Sequence, residues 1–245
     1  MDSIQITQVS VVRLPLRSRF RGIDYREALI FKGSQRYSEF SPFLEYEDDE
    51  AATWLRAALE FANSPLPKPK RQLIPINATL PAVRPDQVIE TLEAFGQFQT
   101  IKIKVAEAGQ DLDQDFARIA QAHKSYPDAN LRLDANGNYS VAQAMKIIRA
   151  IADYPIEYFE QPVASISELV ELRTQLAAAE IQMKIAADES IRKQSDPLEV
   201  AAAGAADIAV LKVQPLGGIT RSLAIASESG LASVVSSALE SSIGI

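Results

Sequence analysis

The 245-residue chain contains no cysteine and only one histidine, His123. The absence of thiols excludes disulfides, thiolate metal sites and cysteine nucleophiles within these residues. His123 falls near the end of a helical pattern over residues 115–124, where we expect an exposed side chain. A catalytic Ser–His pair is therefore not expected.

Signals for secretion, membrane insertion and nucleic-acid binding are also scarce. The first residues, Met1 to Ile4, lack the basic and apolar segments of a secretory signal. No run approaches the roughly 18 uninterrupted apolar residues of a membrane span. The net charge of -7 disfavours a partner with a phosphate backbone. We therefore expect a cytoplasmic protein, monomeric or homo-oligomeric, that acts on a small molecule and binds neither membrane nor nucleic acid.

The first 72 residues predict a small α+β domain. Strands are expected over residues 4–16, 25–32 and 37–40, with a basic loop over 17–22 and a helix over 51–61. Three prolines within residues 63–70 indicate a stiff connector. We place the boundary just after this connector, which gives a domain of residues 1–72 and a second domain of residues 73–245.

From residue 73 onward, strand and helix patterns alternate regularly. The predicted strands cover residues 73–80, 100–105, 131–136, 156–160, 184–188, 207–213 and 232–238, and the helices cover 85–95, 111–125, 140–152, 166–179, 196–203 and 218–229. This alternation favours a parallel sheet, and seven strands favour a TIM-type (β/α) barrel over an open sheet. Because a barrel needs an eighth strand, we expect the last strand to be lacking in this chain and a C-terminal segment to be missing.

Two lysines share one face of the strand predicted over residues 100–105. Because strand side chains alternate, Lys102 and Lys104 point one way and the apolar residues around them point the other. If the apolar side packs on helices, both ammonium groups face the interior. Their repulsion and burial then lower the pKa of at least one, which makes a base near neutral pH. The alternative is a solvated strand face with two surface lysines.

Charged residues also end the next four strands. Asp134, Glu160, Asp188 and Lys212 follow Lys104 at steps of 30, 26, 28 and 24 residues, each about one βα repeat. In a barrel, catalytic groups come from the C-terminal ends of several strands. These five side chains are therefore expected to converge at one mouth. For each acid taken singly, the alternative is the N-cap of the helix that follows.

Three converging carboxylates repel one another unless a cation lies among them. Oxygen ligands alone suit Mg²⁺, with Mn²⁺ as the other candidate. A metal flanked by lysines suits abstraction of a proton α to a carboxylate, because the metal stabilises the enediolate while a lysine takes the proton. The sequence thus predicts a metal-dependent enzyme that acts on a small carboxylate.

The order of these residues resembles the enolase superfamily. The matching positions are the lysine pair, the three acids and Lys212, and the N-terminal unit resembles that superfamily's capping domain. Within the superfamily, the chain is similar to the o-succinylbenzoate synthases of menaquinone and phylloquinone biosynthesis. This likeness rests on Arg-Phe-Arg-Gly (19–22), Glu-Phe-Ser-Pro (39–42), Pro-Ile-Asn-Ala (75–78), Ala-Asp-Glu-Ser (187–190), Leu-Lys-Val-Gln-Pro-Leu-Gly-Gly (211–218) and Ser-Ser-Ala-Leu-Glu (236–240).

The resemblance implies a role for each of the charged positions. Asp134, Glu160 and Asp188 would bind Mg²⁺. Lys104 would remove the α-proton of 2-succinyl-6-hydroxy-2,4-cyclohexadiene-1-carboxylate and then protonate the departing hydroxyl, which leaves 2-succinylbenzoate. Lys212 would stabilise the anionic intermediate through a cation–π contact.

The resemblance also places other residues beside the substrate. Lys102 would lower the pKa of Lys104 and touch the substrate carboxylate. Arg132 and Asn136 share the face of Asp134 and would support that ligand.

Two further pairs are candidates for substrate binding. The backbone N–H groups of Gly217 and Gly218 would receive the succinyl carboxylate at a helix start, unless they form an ordinary βα turn. Ser236 and Ser237 are similar candidates at the end of the seventh strand. The arginines of segment 19–22 would either cover the mouth or lie on the surface.

Two other functions stay open on the sequence. A racemase or epimerase of N-succinylamino acids or dipeptides would use Lys104 and Lys212 as opposed bases in the same constellation. The chain would be an inactive remnant if the barrel cannot function without the C-terminal segment that we expect to be missing.

Overall fold

The computed structural model describes residues 4–20 and 22–245. By their contacts, these residues divide into two compact units. The first contains the described residues up to Lys70 together with Leu211–Glu228 and Ser233–Ile245. The second contains Arg71–Val210 and Ser229–Ala232. The domain bounds of 1–72 and 73–245 stay a prediction.

The first unit begins with a three-stranded antiparallel sheet, whose strands β1 (Thr7–Phe20), β2 (Ile23–Lys32) and β3 (Tyr37–Phe40) pair in chain order. β2 and β3 confirm the sequence prediction. The expectation that the first strand stops near Pro15 and gives way to a loop is wrong. β1 is an edge strand with a register irregularity between Pro15 and Phe20, and an edge tolerates a residue without an N–H. Arg19 therefore lies in β1, and Arg21 lies outside the described residues.

Helix α1 (Asp48–Asn63) packs through a face of small residues and one tryptophan. Its first turn carries three acidic residues, Asp48, Asp49 and Glu50, where the helix dipole favours negative charge. Ala58 and Ala62 pack against Phe31 of β2. Trp54 is fully buried and packs with Phe43 and Ala238. The helix thus packs against both the sheet and Ser233–Ile245, the C-terminal segment of the same unit.

Two buried polar side chains hold that C-terminal segment. The Arg26 guanidinium is part of a residue only 4% exposed, and it donates to the carbonyl oxygens of Ser41, Pro42, Ala238 and Leu239. The Glu39 carboxylate accepts the backbone N–H of Ser241 at 3.0 Å and the hydroxyl of the same residue. Because buried charges are costly without partners, these bonds specify where the segment lies.

A seven-stranded parallel sheet carries the rest of the fold. Its strands lie in sequence order: β4 (Ala78–Leu80), β5 (Thr100–Lys104), β6 (Asn130–Asp134), β7 (Ile156–Glu160), β8 (Ile185–Ala187), β9 (Ile208–Leu211) and β10 (Ala232–Val235). The pairs from β4 to β9 are parallel. This arrangement confirms the α/β fold of the (β/α) barrel type and the seven strands that the sequence predicts.

Helices follow most of these strands. They are α2 (Val88–Glu93), α3 (Leu112–Ser125), α4 (Val141–Ala150), α5 (Ile166–Ala178), α6 (Glu189–Arg192), α7 (Glu199–Ala202), α8 (Val213–Leu216) and α9 (Ile219–Ser229). The N-cap residues of α3, α4 and α5 each form a capping box with the residue three positions on, which fixes where each helix begins. Within the described residues, no helix has the length and apolar character needed to cross a membrane.

Some predicted elements differ in extent. The strand expected over residues 73–80 is limited to β4, because only three of its residues pair with β5, and Leu73 is 87% exposed. The helix expected over 196–203 shrinks to α7. The short helices α6 and α8 were not predicted, since four residues carry little periodic signal. His123 is half-buried rather than exposed, with its ring centroid 4.7 Å from that of Tyr154.

Gly33 lies in the turn between β2 and β3, against the end of α1. A Cβ atom at this position would lie 2.5 Å from the carbonyl oxygen of Ala62 and 2.6 Å from its Cβ. The same carbonyl accepts the backbone N–H groups of Gln35 at 3.0 Å and Arg36 at 3.2 Å. The backbone therefore has little freedom to make room for a larger residue.

We expect Gly33→Ala to lower the free energy of unfolding by about 1–3 kcal/mol, the usual cost of overpacking. Urea unfolding followed by circular dichroism measures the change. Gln35→Ala, at an exposed position in the same turn, is the matched control and should shift stability by less than about 0.5 kcal/mol. An unchanged unfolding midpoint for Gly33→Ala would contradict the close contact with Ala62.

Candidate active site

The carboxyl ends of β5, β6 and β7 bring four charged side chains together. Lys104, Asp134 and Glu160 are the last residues of these strands, and the register pairs Lys104 with Asp134 and Asp134 with Glu160. Lys102 lies two residues before Lys104 on the same face. The side chains of Lys102 and Lys104 are only 11% and 16% exposed. The alternative of a solvated strand face is therefore wrong.

Lys102 bridges two carboxylates. Its Nζ lies 2.6 Å from Glu160 Oε1 and 2.9 Å from Asp134 Oδ2. Burial by itself would lower the pKa of Lys102, but the charges of Glu160 and Asp134 outweigh it, so the pKa is raised. The expectation that repulsion between two ammonium groups lowers a pKa is wrong for this residue, because the neighbouring strands supply carboxylates that dominate.

Lys104 contacts the carboxylate of Asp134 and the side-chain amide of Asn136. Its Nζ lies 2.6 Å from Asp134 Oδ2 and 2.7 Å from Asn136 Oδ1. Burial would raise the pKa of Asp134, but the ion pairs with Lys102 and Lys104 hold it well below its usual range. Asp134 is therefore ionised at neutral pH. Asn136 reaches Lys104 from a left-handed backbone position, with φ 48°, and its N–H donates to Asp134 Oδ1 at 3.1 Å.

Asp188 follows β8 and has a different cationic partner. It is fully buried, and Arg192 Nε lies 3.1 Å from its Oδ1. Arg192 also contacts Glu189 Oε1 at 2.9 Å. That oxygen accepts from Asn136 Nδ2 at 3.3 Å. Asn136 and Glu189 thus link the Lys104 contacts to the Arg192–Asp188 pair.

Sequence reasoning missed Glu189, Arg192 and Gln161. Gln161 Oε1 accepts the backbone N–H groups of Asp188 and Ser190, each at 3.1 Å, which fixes the start of α6. The only signal for these residues was adjacency: Gln161 follows Glu160, and Glu189 follows Asp188. Arg192 belongs to a four-residue helix that the sequence pattern did not reveal.

The carboxylates suit a hard divalent cation in their chemistry and partly in their arrangement. Asp134 and Glu160 both contact the single Nζ atom of Lys102, so their oxygens already converge on one cationic position. Asp188 is instead paired with Arg192. Over residues 4–20 and 22–245, no three His, Asp or Glu side chains are spaced to hold a metal ion. Assignment of all three acids as metal ligands stays a prediction.

Arg132 lies two residues before Asp134 on β6, but its bonds go elsewhere. Its Nε lies 2.7 Å from Glu157 Oε2, and its Nη1 lies 3.3 Å from Asn77 Oδ1. The guanidinium also lies 5.0 Å from the ring centroid of Tyr158. Burial, with the nearby Glu160 carboxylate, raises the pKa of Tyr158 to about 12. The role of Arg132 beside a substrate stays a prediction.

The remaining predicted residues belong to the first unit. Lys212 directly follows β9 and is the N-cap of α8. The backbone N–H of Ser236 donates to the carbonyl of Leu211 at 3.0 Å, and its hydroxyl donates to the carbonyl of Ser237 at 3.4 Å. These contacts are all to backbone carbonyls, and the substrate role of the two serines stays a prediction.

Gly217 and Gly218 precede α9 with left-handed φ values of 92° and 125°. A carboxylate already lies at this helix start, because Glu60 Oε1 accepts the N–H of Thr220 at 3.1 Å. A Cβ atom on Gly218 would lie 1.8 Å from Glu60 Oε2. The N-terminus of α9 thus faces an anion of the chain itself, and binding of a substrate carboxylate there stays a prediction.

The chain matches known protein families in sequence and in fold. Residues 85–234 match the family described as enolase C-terminal domain-like, and residues 11–62 match the family described as enolase N-terminal domain-like. Among solved structures, a dipeptide epimerase from Enterococcus faecalis, complexed with Mg and the dipeptide L-Leu-L-Tyr, has a TM-score of 0.78 at 24% identity, covering 98% of this chain and 84% of that one. A mandelate racemase/muconate lactonizing enzyme from Roseiflexus sp. has a TM-score of 0.74 at 21% identity, covering 98% of this chain and 82% of that one. At these identities the structural likeness shows the fold.

Curated relatives are much more similar in sequence. The o-succinylbenzoate synthase of Mycolicibacterium smegmatis is 50% identical over 246 residues, which cover 100% of this chain and 74% of that protein. The o-succinylbenzoate synthase of Mycobacterium ulcerans is 48% identical over 98% of this chain and 72% of its own length. The chain belongs to the enolase superfamily and, within it, to the o-succinylbenzoate synthases, a family of carbon–oxygen lyases.

Proposed function

We propose that the chain dehydrates 2-succinyl-6-hydroxy-2,4-cyclohexadiene-1-carboxylate to 2-succinylbenzoate with the help of Mg²⁺. The observation that carries this proposal is the buried cluster in which the Lys104 ammonium lies 2.6 Å from Asp134, beside Glu160 and Lys102. Such a cluster combines an amine for proton transfer with carboxylates for a cation. Identity of 50% to an o-succinylbenzoate synthase supports the choice of substrate.

Lys104 is the group proposed to move protons. Its neutral amine accepts the α-proton of the substrate, and the electron pair of the broken C–H bond enters an enediolate. The C–O bond to the β-hydroxyl then breaks, the Lys104 ammonium returns its proton to the departing oxygen as water is formed, and the ring becomes aromatic. One lysine on one face of the ring thus serves as base and then as acid.

The two lysines have different contacts and are proposed to have different roles. Lys102 contacts the carboxylates of Asp134 and Glu160, and Lys104 contacts the carboxylate of Asp134 and the amide of Asn136. Lys104 is also the last residue of its strand, as Asp134 and Glu160 are of theirs. We assign proton transfer to Lys104 and the maintenance of local charge to Lys102.

The proposed cation would be held by Asp134, Glu160 and Asp188. A bound hard cation would supply stabilisation of the negative charge on the enediolate oxygens. The oxygen-only donor set favours Mg²⁺, with Mn²⁺ as a substitute. Asn136 and Glu189 would keep the side chains around these ligands in place.

Lys212, Gly217 and Gly218 are assigned by their places in the sequence. Lys212 follows a strand of the sheet in the same way as Asp134 and Glu160 end theirs. We propose that Lys212 stabilises the anionic intermediate. The substrate-binding roles of the two glycines, of Ser236 and Ser237, and of Arg132 are proposed on the same basis.

We expect the purified chain to convert the cyclohexadiene substrate into an aromatic product, which absorbance in the ultraviolet follows. A parallel incubation with N-succinylamino acids, followed by chiral chromatography, tests the alternative of a racemase. Racemisation without aromatic product would refute the dehydratase and favour the alternative. Absence of both activities in Mg²⁺-loaded protein would favour an inactive remnant.

We expect Lys104→Ala to lower kcat by about 10²–10⁴-fold, because the residue provides both proton transfers. Steady-state kinetics with Mg²⁺ present measures this. Lys146→Ala, at an exposed position on α4, is the matched control and should keep wild-type activity. Full activity in Lys104→Ala would rule out the proposed mechanism.

Removal of metal with EDTA should reduce activity by at least about 100-fold, since stabilisation of the enediolate is lost. Added Mg²⁺ should restore it. Titration calorimetry on Asp134→Asn should show weakened Mg²⁺ binding, whereas Asp153→Asn, at an exposed position, should bind like wild type. Undiminished turnover in EDTA would count against a metal at these carboxylates.

A further inference from the structure

The backbone of Lys104 lies just beyond the point where β5 stops pairing with β4. The pairing of β4 with β5 ends at Leu80 and Ile103, whereas the pairing of β5 with β6 continues through Lys104 and Asp134. On the β4 side, the sheet ladder therefore stops one residue before Lys104. The carbonyl of Lys104 accepts a hydrogen bond from the side chain of Arg118 of α3.

Arg118 connects the end of β5 with the loop after β4. Its Nε donates to the Lys104 carbonyl at 3.2 Å, and its Nη1 donates to the Val83 carbonyl at 3.0 Å and to Gln110 Oε1 at 2.8 Å. Gln110 in turn donates to the Ala82 carbonyl at 2.8 Å. The planar guanidinium thus provides donors at fixed angles to chain segments that the sheet does not pair.

Asp115 holds the guanidinium and the chain on the other side of Lys104. Its Oδ1 accepts from Arg118 Nη2. Its Oδ2 accepts the N–H of Ala106 at 2.9 Å and the hydroxyl of Tyr139. Ala106 has a left-handed φ of 59°, a conformation that a non-glycine residue keeps only when surrounding contacts impose it.

These three side chains are buried. Asp115 and Arg118 are each 1% exposed, and Tyr139 is 6% exposed. The helix that carries Arg118 also has apolar contacts with the core through the fully buried Ile119 and Ala122. Because a buried ion pair often stabilises a fold no more than apolar residues of similar size do, the guanidinium is better explained by the geometry that it imposes.

We propose that Arg118, held by Asp115 and Tyr139, is a positioning residue that fixes the backbone from Lys104 to Ala106 and so aims the Lys104 amine. This inference rests on the proposed function for the role of Lys104 in the reaction. The contacts of Arg118 are to backbone and to its own cluster, so it acts through Lys104.

The kinetic test compares Arg118→Lys and Tyr139→Phe with wild type. Arg118→Lys keeps the charge but loses the planar array of donors, and should lower kcat about 10- to 100-fold with KM within about twofold. Tyr139→Phe removes one hydroxyl and should lower kcat about three- to tenfold. Arg149→Lys, at an exposed position on α4, is the matched control and should behave as wild type.

All rates are taken per folded protein, with folding checked by thermal unfolding under assay conditions. Unchanged kcat in folded Arg118→Lys, or a rise in KM without a change in kcat, overturns the proposal. If Arg118→Lys does not fold, Tyr139→Phe decides the matter, and wild-type kcat in that variant overturns the proposal.

A second readout needs no substrate and separates this inference from the proposed function. Limited acylation with acetic anhydride, mapped by peptide mass spectrometry, reports the accessibility of Lys104, with the exposed Lys193 as internal standard. The labelling rate of Lys104 relative to Lys193 should change at least threefold in Tyr139→Phe or Arg118→Lys and stay constant in Arg149→Lys. Equal labelling in all proteins overturns the positioning role, whereas changed labelling with no dehydratase activity in wild type refutes the proposed function alone.

Discussion

The site depends on the need to balance charge on three buried carboxylates at adjacent strand ends. Asp134, Glu160 and Asp188 are each at most 1% exposed, and an unpaired ion at such depth costs several kcal/mol. The parallel register supplies the remedy, because it sets the lysines of β5 beside the acids of β6 and β7. Arg192 of α6 pairs with the third carboxylate, Asp188. Charge balance thus determines which side chains can occupy neighbouring strands.

Many contacts in the site come from the short loops that follow the strands. A strand end aims a side chain, but the residues after it must turn at once toward a helix. Asn136 and Gln161 make that turn in left-handed conformations and bond to Asp134 or to the chain around Asp188. The loops therefore brace the charged groups as well as connecting secondary structure, which is how a rigid sheet can present a precise arrangement of polar atoms.

Much of this arrangement could be predicted from the sequence, because its signals are local. Alternating patterns located the strands and helices, and the spacing from Lys104 to Asp188 followed from one residue per βα repeat. What failed depended on distant partners. The extension of β1 past Pro15 follows from its edge position, and the raised pKa of Lys102 follows from carboxylates 32 and 58 residues away. Likewise, nothing near Arg118 in the sequence indicated that it bonds the carbonyl of Lys104.

The bonds of Arg26 and Glu39 to the C-terminal segment have a consequence for the order in which the chain can acquire its structure. They join residues more than 200 positions apart, and the entropy lost in closing so long a loop opposes their formation. During synthesis, the first strands leave the ribosome long before Ala238 and Ser241 exist. The sheet of β1 to β3 is thus synthesised before it can be completed, and until then Arg26 and Glu39 lack the bonds that Ala238, Leu239 and Ser241 supply.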